Sequence, residues 1–274
     1  MRHAPGHQAS SSPYHLDVVT GPEAANGRRA IAYVVLAIGL LGLAASLVGV
    51  AIELLPRQFD AAQRQQIMTW EQASRWREMP AGKIFAPQVT YGPLDALDYL
   101  GIFLPLTARR IGIARPASCG AATDKSAGAV LARNGCEALL LATYSDDTDT
   151  YVVTVGVGTF ANTAQAAAAG RELGSPKLSL GAGRAPGVHA VAFAGTPAAA
   201  FTDSRRQISA SVVAGPYLVM YTIGYADDRP LLPVSDDSYG QAEMKSMGAG
   251  VTQAVATVLG SAPPIPHCPG APGC

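Results

Sequence analysis

The chain has 274 residues, enough for one sizeable domain or two small ones. Charged residues make up 15% and hydrophobic residues 49%, which excludes a disordered or highly charged chain. The 20 Lys and Arg cancel the 20 Asp and Glu, so there is no electrostatic reason to favour a nucleic acid or an anionic surface as partner.

Residues 1–29 contain Pro, Gly, Ser and three histidines (His3, His7, His15) without apolar periodicity, and they read as a disordered tail on the cytoplasmic side. The irregular histidine spacing gives no metal cage. From Ala30 to Ile52 run 23 residues without a charge, AIAYVVLAIGLLGLAASLVGVAI. At about 1.5 Å per residue such a helix crosses the roughly 30 Å hydrocarbon layer. The apolar region of a cleaved signal, usually about 7–15 residues, is well short of it. A retained transmembrane helix over 30–55 is the expectation. Gly39, Gly42, Ser46 and Gly49 share one face of that helix, a seam of small residues suited to close packing with another helix of a protein partner or of a homo-oligomer.

Pro56 ends or kinks this helix. Residues 56–79 form a juxtamembrane helix free of Gly and of Pro after Pro56. Its Trp70 and Trp76 suit either the lipid headgroups or the following domain. The stretch 83–113 mixes short apolar runs with Pro and Gly and yields no firm assignment. Asp124 is a candidate N-cap for a helix over 125–133, which Asn134-Gly135 stops. Residues 138–144 form an apolar strand, followed by turn chemistry over 145–150. In 151–160, Tyr151, Val153, Val155 and Val157 alternate with Thr154, Gly156 and Gly158, the pattern of a strand with one buried side. Asn162 caps an Ala-rich helix to about Leu173. A strand is expected at 188–194, and 207–214 and 217–226 flank Gly215-Pro216 as an antiparallel hairpin. The last helix, about 238–259, aligns Met244, Met247, Val251, Val255 and Val258 on one stripe. The fold class is α+β: an N-terminal transmembrane helix, then a mainly antiparallel sheet with helices packed on one face. The globular domain spans 80–262, and 263–274 is a Pro/Gly-rich tail.

All four cysteines (Cys119, Cys136, Cys268, Cys274) follow the membrane segment, which suits disulfides in an oxidising compartment and a domain outside the cytoplasm. Of the three connectivities we favour Cys119–Cys136 and Cys268–Cys274. The first ties the ends of the 125–133 helix, and closing such a loop is worth roughly 3 kcal/mol in the chain-entropy model. His267 with Cys268 and Cys274 makes a poor metal cage on a chain end.

No G-x-S-x-G, S-x-x-K, H-E-x-x-H or P-loop pattern is present, and neither a cofactor nor a metal is expected. His189 with Asp203 and Ser209 or Ser211 sketches a hydrolase triad, against the commoner reading of a satisfied histidine. Asp146, Asp147 and Asp149 resemble the start of a calcium loop but lack its Gly and distal Glu, so a turn is the better account. Tyr217, Tyr221 and Tyr225 project from one strand face, which is either core or a sheet face open to a ligand.

The segments REMPAGKIF, GIARPASCGAA, NGCEALLLATYSDDTDTYVVTVGVGTF and GPYLVMYTIGYADDR, behind the anchor, resemble a group of single-pass membrane proteins of actinobacteria. The likeness covers roughly residues 65–260. It implies a cell-membrane location and carries over no site residue. A weaker likeness is to the extracytoplasmic sensor domains of actinobacterial receptor kinases, from which this chain departs by lacking a kinase domain. The expected role is a non-enzymatic, membrane-anchored interaction protein of the cell envelope. The alternatives are a ligand-binding or sensor module for a small or cell-wall-derived molecule and an envelope hydrolase centred on His189.

Overall fold

The computed structural model describes residues 22–54, 59–92, 105–174, 185–227, 229–233 and 238–261, with side chains of the first helix described from 30 to 47. The chain forms two units, Met1–Gln58 and Phe59–Cys274.

The first unit contains helix α1, Pro22–Leu54. It starts eight residues before the apolar run, because Pro22 suits a first helical position and Glu23, Ala24 and Ala25 are competent helix formers. Its part Ala30–Leu47 is long and apolar enough to cross a membrane. Side chains there are exposed all round, Ile31 at 66% and Leu41 at 71%, so no polar face exists to turn toward water. Ser46 Oγ donates to the Gly42 carbonyl at 3.0 Å, which satisfies its hydroxyl within the helix.

The second unit opens with α2, Ala61–Glu78. A reciprocal capping box starts it later than expected from composition alone: Gln63 N–H donates to Asp60 at 2.7 Å and Asp60 N–H to the Gln63 side chain at 3.1 Å. This helix belongs to the globular unit. Gln72 Nε2 donates to the Gly260 carbonyl at 2.7 Å, Arg75 donates to the Val258, Leu259 and Ser261 carbonyls, and Trp76 packs on the core. Arg75 thereby caps the C-terminal end of the last helix, where unpaired carbonyls concentrate negative charge.

A short turn α3, Ala81–Ile84, leads into strands β1, Gln88–Tyr91, and β2, Leu106–Ile113, which supply the structure of the unassigned 83–113 stretch. Then follow α4 (Lys125–Arg133), β3 (Leu139–Asp146), β4 (Tyr151–Thr159), α5 (Thr163–Leu173), β5 (Arg206–Ala214), β6 (Tyr217–Tyr225) and α6 (Ser238–Gly260). Asn162 caps α5 as expected, its side chain accepting from Gln165 N–H at 3.0 Å. The strands form one sheet in the order β1-β2-β3-β4-β6-β5, with every neighbouring pair antiparallel. Ala214 faces Tyr217 across the hairpin, and Gly215 at φ +59° followed by Pro216 matches the pattern of a type II′ turn.

The fold is therefore α+β with an antiparallel sheet, but helices cover both of its faces. Val153, Val155, Val157, Val219 and Ile223 pack under α6 with Met244, Met247, Val251 and Val255. Leu139, Leu141, Leu218 and Met220 pack on the other side with Val130 and Leu131 of α4 and Ala166 and Ala169 of α5. Every residue of β4 is buried, so its alternation separates two covered sides and not a buried side from a wet one. Each large apolar side chain removed from water in this way contributes about 1.5–3 kcal/mol. In α6, Leu259 takes the buried place expected of the half-buried Val258.

The expected strand 188–194 is not one. Only Val188 makes a single bridge, to Thr123, and the segment crosses the second face of the sheet bonded by side chains.

Candidate functional site

On that second face the sheet presents hydroxyls. Thr143, Thr154, Thr222 and Ser209 lie on adjacent strands and are all buried. Thr143 and Thr154 share a hydrogen bond at 3.0 Å, and Ser209 and Thr222 share another at 3.0 Å. The backbone of Val191 docks on the first pair: its N–H donates to Thr154 Oγ1 at 3.0 Å and its carbonyl accepts from Thr143 Oγ1 at 2.9 Å. Gly156 permits the close approach, since a Cβ there would stand 2.4 Å from Val188 Cγ1.

The crossing segment is pinned at its start by charge. Arg206, the first residue of β5, has a side chain only 1% exposed. Its Nη1 and Nη2 donate to the two oxygens of Asp124 at 2.9 and 2.6 Å, a forked pair. Nη1 also donates to the Val188 carbonyl at 2.9 Å, and Nε to the Asp203 carbonyl at 3.3 Å. The Asp124 side chain makes no capping bond to α4. It accepts instead from Gly187 N–H at 2.8 Å, while Asp124 N–H donates to the Gly187 carbonyl at 3.0 Å. Burial pushes the Asp124 carboxyl up. The Arg206 and Gly187 hydrogen bonds and the charges of Arg206 and His189 outweigh that and hold it below the usual carboxylate range.

The outer end of the cluster is His189 with Asp203. His189 Nδ1 lies 2.5 Å from Asp203 Oδ2, off the direction of a hydrogen bond, so the contact works through charge when the ring is protonated. Asp203 Oδ1 accepts from Ala190 N–H at 2.8 Å. The two side chains are 36% and 43% exposed. The structure thus brings together His189 and Asp203, while Ser209 keeps its bond to Thr222 and Ser211 lies on the exposed stretch of β5. The arrangement orients a surface imidazole against a carboxylate and locks the crossing segment to the sheet. Arg206 escaped sequence reading, and its only signal was a charge immediately ahead of the apolar run of β5.

Elsewhere the placements are plain. Cys119 and Cys136 form a disulfide with 6.3 Å between Cα atoms, joining the ends of the segment that contains α4; Cys268 and Cys274 lie outside the described residues, as do His3, His7, His15 and His267. Asp146, Asp147 and Asp149 build a turn: Asp146 accepts from the Tyr151 N–H at 2.6 Å, Asp149 accepts from Ser145 Oγ at 2.8 Å, and Asp147 pairs with Arg109 at 3.3 Å. Among the described residues no group of three His, Cys, Asp or Glu side chains is arranged to hold a metal.

Tyr217, Tyr221 and Tyr225 are buried in the core cluster beneath α6, and no ligand face is open there. Tyr217 Oη donates to the Gln72 carbonyl and accepts from Trp76 N–H at 3.3 Å, and burial pushes its phenol up to about 12. On α1, Gly39 and Gly42 are open, with nothing within 4 Å of where a Cβ would stand. Compared with known proteins, the chain matches no family model, no curated protein and no solved structure.

Proposed function

We propose that the protein is a membrane-anchored interaction protein of the cell envelope, acting by contact and not by catalysis. Helix α1 stays in the cell membrane, the N-terminus faces the cytoplasm, and the disulfide-bridged unit stands outside it. The observation that carries this reading is α1 itself. Eighteen residues, Ala30–Leu47, are apolar and exposed on every side, a surface that water does not favour and lipid does. The Cys119–Cys136 bridge in the following unit supports an oxidising compartment. Helices cover both faces over the central strands, while residues 210–213 of β5 stay exposed, so the margin of the sheet is available to a partner.

The test uses the full chain in its own membranes. It is expected to resist carbonate extraction, and a Gln253→Cys probe on the exposed side of α6 is expected to react with an impermeant maleimide from outside intact cells. Recovery in the aqueous fraction, or labelling only after lysis, overturns the reading.

A further inference from the structure

Among the described residues the sheet has two unpaired margins, and they are unlike each other. Strand β1 is four residues long and is flanked in sequence by Pro87 and Pro93, features that blunt an edge. Strand β5 is nine residues long, and from Ile208 to Gly215 it carries neither a charge nor a proline. Its register irregularity sits at the Arg206 end and leaves the rest regular.

Ala210, Ser211, Val212 and Val213 are exposed in succession, with both valines at 37%. Successive strand side chains point to opposite faces, so four exposed in a row means that the helices on neither face reach over this end of β5, which is also the terminal strand of the sheet. Among the described residues no strand pairs with its outer side. Every second residue of such an edge directs its N–H and carbonyl outward, which is the recognition chemistry for another extended strand.

We propose that β5 is a self-association edge, pairing antiparallel with β5 of a second copy about a two-fold axis. This rests on the interaction reading above and names the partner. The sequence around Ser211 is compatible with itself. Ala210 faces Val212, Ser209 faces Val213 and Ile208 faces Ala214 across the two-fold, with no like charges opposed. A shared anchor holds the copies in one plane and orientation, which raises their effective concentration. The unprotected β5 edge then becomes buried, and the blunted β1 edge ends the sheet.

Across such an axis one residue lies opposite its own copy with Cβ atoms about 4.5–5.5 Å apart, wider than a disulfide spans but well within reach of a short thiol-to-thiol crosslinker. The experiment places single cysteines at Ala210, Ser211 and Val212, and at Thr90 on β1 as the comparison, in full-length protein carrying Cys268→Ser and Cys274→Ser. Native membranes are treated with a short thiol-to-thiol crosslinker and dimer is read on a non-reducing gel. These exposed substitutions change few atoms, and a retained Cys119–Cys136 bridge reports a retained fold. The expected result is a maximum at Ser211→Cys, about tenfold above Thr90→Cys. Adding Val212→Lys to Ser211→Cys, which puts a lysine from each copy on diagonal positions about 7–8 Å apart across the axis, lowers the yield. Equal yields at both edges overturn the proposal. A β5 cysteine linked to a protein of another mass also overturns it and leaves the interaction reading standing. Failure of that reading shows separately, as extraction by carbonate.

Discussion

The two faces of the sheet hold their cover by different physics. Beneath α6 the contacts are Val, Ile, Tyr and Met side chains, non-directional and summed over area. Across the other face run a row of hydroxyls and a buried Asp124–Arg206 pair, whose bonds fix the segment 187–191 at particular atoms. The apolar face tolerates exchange of one filling for another of similar volume, whereas the polar face tolerates no missing partner.

The largest expected break of this contrast is Asp124→Ala. It takes the forked carboxylate from the buried Arg206 guanidinium, which keeps only the half-exposed Asp203 carboxylate at 3.4 Å, a loss of about 3 kcal/mol measured by denaturant unfolding. Asp124→Ala combined with Arg206→Met is expected to recover much of that loss, because the stranded charge goes with its partner. Acid probes the same pair. The folded Asp124 carboxyl titrates below its unfolded value, so its contribution is present above about pH 4 and is lost as pH falls through the lower, folded value. In Asp124→Ala the stability curve is correspondingly flatter below about pH 4.

Next comes Thr154→Val, nearly the same shape, which removes the acceptor of the Val191 N–H and the partner of Thr143. The expected cost is about 1–3 kcal/mol, with faster hydrogen exchange at the Val191 amide. The smallest change is expected on the apolar face, where Met247→Leu costs less than about 1.5 kcal/mol because volume is kept and no directed bond is lost. If Met247→Leu matched Thr154→Val, the contrast between the faces would fail.

Much of the fold is legible from local chemistry. The apolar run of α1, the Asn162 cap of α5, the stop of α4 at Asn134-Gly135 and the Gly215-Pro216 hairpin are all written within a few residues of where they act. The Cys119–Cys136 pairing is one of three connectivities the sequence leaves open, favoured because the two flank one short helix, and the structure forms it. The candidate site is legible only in part. His189 and Asp203 stand out as residue types, but Arg206 lies 82 positions from Asp124 in sequence and no spacing rule joins them. The segment 188–194 alternates like a strand, yet its backbone bonds go to Arg206, to Ala122, to Asp203 and, at Val191, to threonine hydroxyls of β3 and β4, which no local pattern announces.

Sequence alone determined that an apolar helix precedes a mixed α+β unit built on antiparallel strands, because helix length, capping and period-two alternation are short-range properties. Tertiary structure alone decided that helices pack on both sheet faces, that Asp124 serves Arg206 in place of its own helix, and that β5 rather than β1 is the long unpaired margin among the described residues. Those outcomes depend on which distant surfaces meet. A buried charge and a free strand edge are defined by what lies against them, and their own residues do not specify that.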